Sequence, residues 1–274
     1  MLASWLSRIN EWQLWHRPVD VRGINLVPTT LDRWVALQAH RFYLMGRTEL
    51  DFFHKVVGPG SYIADVGANQ GLYTLYLSRL APQGCVYSFE PDPKLFAALK
   101  ENVERNNAKN VTLFNAAAAS CSSRLFLRPG RFNRGDNRII QDASGSNQVI
   151  QVDATSLDDA IPDQQLDVLK IDVQGFEADV LKGAPGLLAT NERLLILLEF
   201  WPHGLRLAGS GPEQLLSLLE KSGFSIFYFA RKTDLQRFTY DPRAWSRPDR
   251  FCNLVAAKDI GAHGFDLSSD PRGE

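Results

Sequence analysis

The chain has 274 residues, of which 45% are hydrophobic and 22% charged, and a formal net charge of −1. That length and apolar content suffice for one large α/β domain or two small ones, and the near-neutral charge lacks the basic footprint of a nucleic-acid binder. Three widely spaced cysteines, Cys85, Cys121 and Cys252, exclude a disulfide framework and a structural zinc site as organising principles.

Those cysteines fit a reducing compartment. No apolar run approaches the roughly 18 residues of a membrane span, and the N-terminus lacks the apolar block and cleavage site of a signal peptide, so a cytoplasmic location is expected. In chain order, Met1 to Pro18 comes first and carries three of the six tryptophans, Trp5, Trp12 and Trp15. Leu2, Trp5, Leu6, Ile9 and Trp12 recur at helical spacing and form one apolar stripe. Such a helix packs as a lid on its own domain or in a homodimer. The alternative, contact with a membrane surface or a partner helix, has only Arg8 and Arg17 to attract anionic lipid, with Glu11 opposing them. Leu31 to Leu44 reads as a second amphipathic helix and Glu49 to Val57 as a third, ending at the turn Gly58-Pro59-Gly60. Residues 1–57 are therefore expected to be an N-terminal helical extension and residues 58–258 the main domain.

From Tyr62 the chain alternates strand-like and helix-like segments, the pattern of a largely parallel sheet covered on both faces. Strands are predicted at Tyr62–Val66, Val86–Glu90, Val111–Asn115, Val168–Asp172, Leu194–Glu199, Ser225–Phe229 and Asn253–Ala257, seven in all. Helices are predicted at Leu72–Leu80, Pro93–Asn106, Glu177–Lys182 and Glu213–Ser222. Between Ala119 and Val152 the rhythm breaks into Arg124–Leu127 and Gln148–Val152, a β-hairpin insertion containing Arg128, Arg131, Arg134 and Arg138. Those arginines either form a solvated loop face or grip a carboxylate or phosphate. Residues 259–274 are polar and glycine-rich, and predict a loose tail.

The most informative passage is Asp65-Val66-Gly67-Ala68-Asn69-Gln70-Gly71, followed by a second strand ending on Glu90. A strand, a glycine turn, a helix and a strand-end carboxylate form the arrangement that an adenosine-bearing cofactor needs. Gly67 and Gly71 allow the backbone to approach a ligand, and Glu90 can accept both hydroxyls of a ribose. A dinucleotide fingerprint places its second glycine two residues after the first; here that position is Asn69. A side chain there crowds a diphosphate, which disfavours a nicotinamide oxidoreductase, but it can hydrogen-bond the methionine end of S-adenosylmethionine. Two glycines after a strand could be an ordinary βα turn; Asp65 before the turn and Glu90 beyond it favour a cofactor site.

A second constellation is Lys170-Ile171-Asp172-Val173-Gln174-Gly175-Phe176-Glu177. Ligands in open α/β sheets bind outside the carboxyl ends of the strands, so Asp172 is expected on the same rim as Gly67 and Glu90. Glu177 reads as a charge complementing the dipole at a helix start. Glu199 sits at the end of an apolar strand, where a carboxylate must be paired or working, and Trp201-Pro202-His203-Gly204 follows it.

Taken together and in order, these passages resemble the FkbM-type methyltransferases, a branch of the class I S-adenosylmethionine-dependent enzymes. The matching residues are 65–71, Phe89 to Pro93, Leu99 to Asn107, Ile171 to Glu177 with Val180 to Ala184, and Leu198 to Phe200, so the likeness spans roughly Glu49 to Ala257. Two departures stand out. Gln174 occupies a position where the family often has Glu, and the tryptophan-rich N-terminus is outside the family pattern. The resemblance implies a Rossmann-like class I methyltransferase fold. It also implies a cofactor site in which Gly67, Asn69 and Gly71 hold the methionine moiety, Glu90 the ribose, and Asp92 with Asn115, Ala116 and Ala117 the adenine. Asp65 belongs to the same cofactor-binding set, and Asp172 lies near the cofactor's amino group and the acceptor. The implied reaction is attack by an acceptor hydroxyl on the sulfonium methyl, giving an O-methyl product on a sugar, glycan or polyketide-type small molecule. Positioning dominates such a transfer and a metal is not required. Asp172, Glu199 and His203 are the candidate bases, in that order. The non-enzymatic alternative is a Rossmann-like module that binds a nucleotide or a partner without turnover.

Overall fold

The computed structural model describes residues 19–21, 23–27, 47–130, 134–140, 149–161, 163, 165–231 and 233–265. The helices expected over 1–18 and 31–44, Arg131 and the side chain of Arg134 lie outside them. Strand β3 (Tyr62–Val66) lies within an eight-stranded sheet, third from one edge. On one side lie β4 (Cys85–Phe89) and β5 (Val111–Phe114), both parallel to it. On the other lie β10 (Val168–Ile171) and β11 (Leu195–Phe200), also parallel. Next come β14 (Cys252–Ala257), antiparallel to β11, then β12 (Ser225–Arg231) and β13 (Asp234–Arg237). All seven predicted strands are present, and β13 makes an eighth at the edge. The chain runs outward from β3 through β4 and β5, then crosses back to β10 on β3's other flank. That reversal opens a crevice at the carboxyl ends of β3 and β10, where open α/β sheets place their ligands.

Each central strand is buried on both faces, which is why these segments read as near-continuous apolar runs. Ala64, Val66, Phe89, Leu169 and Ile171 belong to one core cluster, and Ile63, Val86, Val168, Leu195 and Leu197 to the other. Helices α2 (Leu72–Leu80), α3 (Pro93–Arg105), α5 (Glu177–Lys182) and α8 (Pro212–Lys221) match the predicted four to within a residue. Asp92 caps α3 by accepting from the Lys94 N–H at 2.9 Å, with Pro93 pre-set for the first helical turn. Three helices of four to six residues escape the periodicity argument because they are too short to show a stripe: α4 (Leu157–Ala160), α6 (Pro185–Thr190) and α7 (Pro202–Leu207).

The insertion is larger than the expected hairpin. Strands β7 (Ser123–Arg128) and β8 (Arg138–Ile140) pair antiparallel, and β9 (Ile150–Thr155) and β6 (Ala117–Ala118) extend them into a four-stranded sheet with its own small core.

Two expected boundaries are not packing boundaries. Within the extension, β1 (Val19–Val21) and β2 (Ile24–Leu26) form a hairpin rather than helix. Asn102 and Asn106 of α3 accept from the Val27 and Asn25 N–H groups. Helix α1 (Arg47–Val56), the third helix expected, buries Leu50, Phe52 and Phe53 in the same core. At the other end, Phe265 packs its ring 5.7 Å from that of Phe52, with the Lys55 ammonium 3.7 Å over it, so residues 259–265 are part of the domain rather than a loose tail. A single buried aromatic outweighs a polar composition there.

Candidate active site

The crevice holds a cavity of about 740 Å³, within the size range of small-ligand pockets. Gly67, Asn69, Glu90, Ala117, Asp172 and Glu199 line it. The glycines also meet a demand of the protein's own packing. A Cβ on Gly67 would lie 2.0 Å from the Asp172 carbonyl oxygen, and one on Gly71 would lie 2.6 Å from Leu99 Cδ1. Both are left-handed, at φ +81° and +94°, so backbone conformation at both, and the Asp172 carbonyl at Gly67, already disfavour a side chain before any ligand binds. Gly67 thereby brings the end of β3 against the loop after β10.

Asn69 is also left-handed, at φ 52°, a conformation that asparagine tolerates better than most residues. Its N–H donates to Glu90 Oε2 at 2.9 Å, and the Asp92 N–H donates to Oε1 at 2.9 Å. The Glu90 carboxylate is thus fixed by two backbone groups, with further lone pairs left on each oxygen. Burial pushes its pKa up to about 7, against the opposing pull of those two N–H groups. Asn69 Oδ1 is buried without a hydrogen-bond partner among the described residues. A held carboxylate at a strand end and an orphaned acceptor beside it suit a ligand that brings hydroxyl and ammonium donors.

Several of the other predicted residues support this wall from behind. Asp65 is fully buried and does not line the cavity; it pairs with Lys170 Nζ at 3.0 Å and accepts from Thr74 Oγ1 at 2.7 Å. Burial pulls the Lys170 pKa down, but Asp65, Asp172 and Glu199 outweigh it, and the net shift is upward. Asp92 is buried as the α3 cap and accepts from Asn137 Nδ2 at 2.9 Å, so it borders the cavity only through its neighbours. Asn115 Nδ2 clamps the Glu90 carbonyl at 2.9 Å, and neither it nor Ala116 lines the cavity.

Beyond the end of β10, Gln174 Nε2 donates to Asp172 Oδ1 at 3.1 Å and to Glu199 Oε2 at 2.8 Å. Burial first, then the charges of Asp172 and Glu177, hold the Glu199 pKa well above the ordinary carboxylate range, with Lys170 opposing. Gln174 is left-handed (φ 55°) and Gly175 follows at φ +107°; a Cβ on Gly175 would meet the Gly204 carbonyl at 2.3 Å. Glu177 is fully buried, and its Oε1 accepts from the Gly175 N–H at 3.0 Å, which stabilises that strained turn. His203 does not line the cavity; its ring packs edge-on against Trp201 at 5.7 Å.

Sequence reasoning missed Glu49, Tyr73, Lys170, Trp201 and Asn253 on the cavity wall. Lys170 carried a signal, a charge inside a buried apolar strand. Glu49 and Asn253, joined at 2.5 Å, carried none, because they are 204 positions apart.

Residues 65–226 match the family model described as the Methyltransferase FkbM domain. Methyltransferase sdnD of Sordaria araneosa is 26% identical over 260 residues, covering 79% of this chain and 93% of that protein. The hexuronic acid methyltransferase AglP of Haloferax volcanii is 26% identical over 161 residues, covering 59% of this chain and 62% of its own length. The 2-O-methyltransferase NoeI of Sinorhizobium fredii is 28% identical over 145 residues, with 46% and 58% covered. Because the family match takes in more than half of its length, the chain belongs to the FkbM methyltransferase family and is an S-adenosylmethionine-dependent methyltransferase.

Proposed function

We propose that the enzyme methylates a hydroxyl oxygen of a sugar, glycan or polyketide-type small molecule. The observation that carries this reading is the pair of half-buried carboxylates, Asp172 and Glu199, bridged by the Gln174 amide on the wall of the cavity that Glu90 also lines. Relatives named for a hexuronic acid and for 2-O-methylation support it. When bound, S-adenosylmethionine supplies an electrophilic sulfonium methyl. Glu90 accepts the ribose hydroxyls, Asn69 Oδ1 accepts from the amino group, and Ala117 borders the adenine.

The chain's remaining task is to orient the acceptor hydroxyl and take its proton. Asp172 and Glu199 share the Gln174 amide, and burial together with the Asp172 charge raises the Glu199 pKa, so a proton taken up by Glu199 relieves the repulsion between them. Their role as base is set by position as much as by affinity for the proton. Gln174 keeps the two carboxylates in register and contributes no titrating group.

Calorimetry with S-adenosylhomocysteine and NAD, paired with mass spectrometry of methylated sugars, tests the proposal. S-adenosylhomocysteine is expected to bind with roughly micromolar affinity and NAD not to bind, because Asn69 stands where a pyrophosphate needs glycine. Tighter binding of NAD, or a product methylated at carbon, overturns it.

A further inference from the structure

Arg138 lines the cavity from the small sheet, far in sequence from the strand-end motifs. Its register partner across the β7–β8 hairpin is Arg128. Two guanidinium groups directly opposite each other on one face repel, a pairing that weakens a hairpin. Arg138 is also poorly compensated. Its Nε is buried with no hydrogen-bond partner, and it makes no ion pair among the described residues. Burial lowers its pKa, Asp136 and Glu199 raise it, and Arg128 lowers it further. The other cation on the cavity wall, Lys170, is already bound to Asp65. A buried polar group left unmatched requires an explanation.

Its placement is fixed from two directions. The guanidinium carbon lies 4.4 Å over the Trp201 ring. That indole cannot swing away: Nε1 donates to the Pro248 carbonyl at 2.6 Å, and Gly204 packs so closely that a Cβ there would lie 2.0 Å from a ring carbon. In the chain, Asn137 precedes Arg138. Asn137 Oδ1 accepts from the Gly130 N–H at 2.9 Å, while its Nδ2 donates to Asp92 Oδ2 at 2.9 Å. Asp92 is the residue whose N–H holds Glu90. The arginine is therefore pinned relative to the carboxylate of Glu90, as a pre-positioned cation with no ion-pair partner among the described residues.

We propose that Arg138, backed by Trp201, binds an oxyanion group, a carboxylate or a phosphate, carried by the methyl acceptor, so that the enzyme acts on acidic rather than neutral sugars. The inference rests on the proposed acceptor methylation and narrows it. A planar guanidinium fork matches either anion with two parallel hydrogen bonds. The same geometry sets orientation. An acidic acceptor is drawn to Arg138 by its anion and repelled by Asp172 and Glu199, which turns its neutral hydroxyls toward those carboxylates.

The test is an NMR titration of the full chain, saturated with S-adenosylhomocysteine, using methyl β-D-glucoside, methyl β-D-glucuronide and methyl β-D-glucoside 6-phosphate. At least one acidic sugar is expected to bind about tenfold or more tightly than the neutral one, the scale of hydrogen bonds to a charged group. Which acid wins assigns the anion as carboxylate or phosphate. Arg138→Gln is expected to shrink the preference to about twofold, with S-adenosylhomocysteine affinity retained as the control for folding. Equal binding of neutral and acidic sugars, no binding of any of them, or a preference that survives Arg138→Gln overturns the inference. Failure of S-adenosylhomocysteine itself to bind strikes the underlying reading instead.

Discussion

Glu90 and Arg138 face the same cavity but are held there by different means. Glu90 ends a central strand, and its carboxylate is fixed by backbone N–H groups of residues 69 and 92, all within one strand–helix–strand unit. Arg138 sits on a short strand of the small sheet and is positioned by Trp201, Asn137, Pro248 and Gly204, from segments more than a hundred residues apart. The first wall depends on local backbone geometry, which changes little with side-chain identity. The second depends on side chains meeting across the fold. A cofactor common to a whole family can be served by the first kind of construction, whereas an acceptor that differs from one family member to the next requires the second.

The cofactor wall breaks most severely at its foundation. Asp65 and Lys170 are register partners on β3 and β10, almost wholly buried and 3.0 Å apart. Lys170→Met leaves the Asp65 charge buried without a cation, and should cost about 3–5 kcal/mol of stability in urea unfolding. Adding Asp65→Leu should recover part of that loss, because the uncompensated charge is then gone. A cost below about 1 kcal/mol would mean that water or a neighbour replaces the lysine. Asp172→Asn comes next. It keeps the shape and loses the charge, so turnover should fall on the order of 10²-fold with cofactor affinity little changed. Glu199→Gln is the parallel test. Equal losses in turnover and affinity would assign either carboxylate to the cofactor wall instead.

The same difference explains what the sequence made legible. Strand β3 and helix α2 are bounded to the residue, because a doubly buried strand, a glycine turn and an apolar helix buried from Thr74 through Ser78 follow in unbroken order. Gly67 lines the cavity as its place in the turn predicts, but sequence alone cannot show that its neighbour is also the Asp172 carbonyl, across a strand crossover. Asp65 looked like a ligand contact and is a buried ion pair, since its partner Lys170 lies 105 positions away. His203, the third candidate base, sits on the short helix α7 outside the cavity lining and against Trp201. Of the four arginines in the insertion, only register could show that Arg138 and Arg128 share a face.

Glu90→Ala sharpens the comparison on the local side. Loss of the ribose acceptor should weaken S-adenosylhomocysteine binding by about 1–3 kcal/mol, the scale of hydrogen bonds to a charged group, with little change in acceptor preference. Affinity unchanged by the substitution would place the ribose elsewhere on the rim.

The smallest expected effect is the pH dependence of cofactor binding through Glu90; the pH dependence of stability is shared with Glu177, whose pKa burial likewise pushes up to about 7. The Glu90 pKa in the folded protein is raised from the ordinary 4.5 to about 7, chiefly by burial. Such a group contributes stability that is fully present below 4.5 and is lost as pH rises through about 7, when the buried carboxyl must ionise. With the proposed ribose contact, cofactor binding runs the opposite way, because hydroxyls donate to the charged form of Glu90. Affinity for S-adenosylhomocysteine should therefore rise by up to about tenfold between roughly pH 6 and pH 8, about 1.4 kcal/mol, as the fraction ionised climbs. Calorimetry in buffers of different ionisation enthalpy should show proton release on binding at the acidic end of that range. Glu90→Ala should flatten the profile. A slope that persists in the variant would move the titrating proton to Glu199, whose pKa is also raised by burial, and would make the acceptor wall, rather than the cofactor wall, the pH-sensitive half of the cavity.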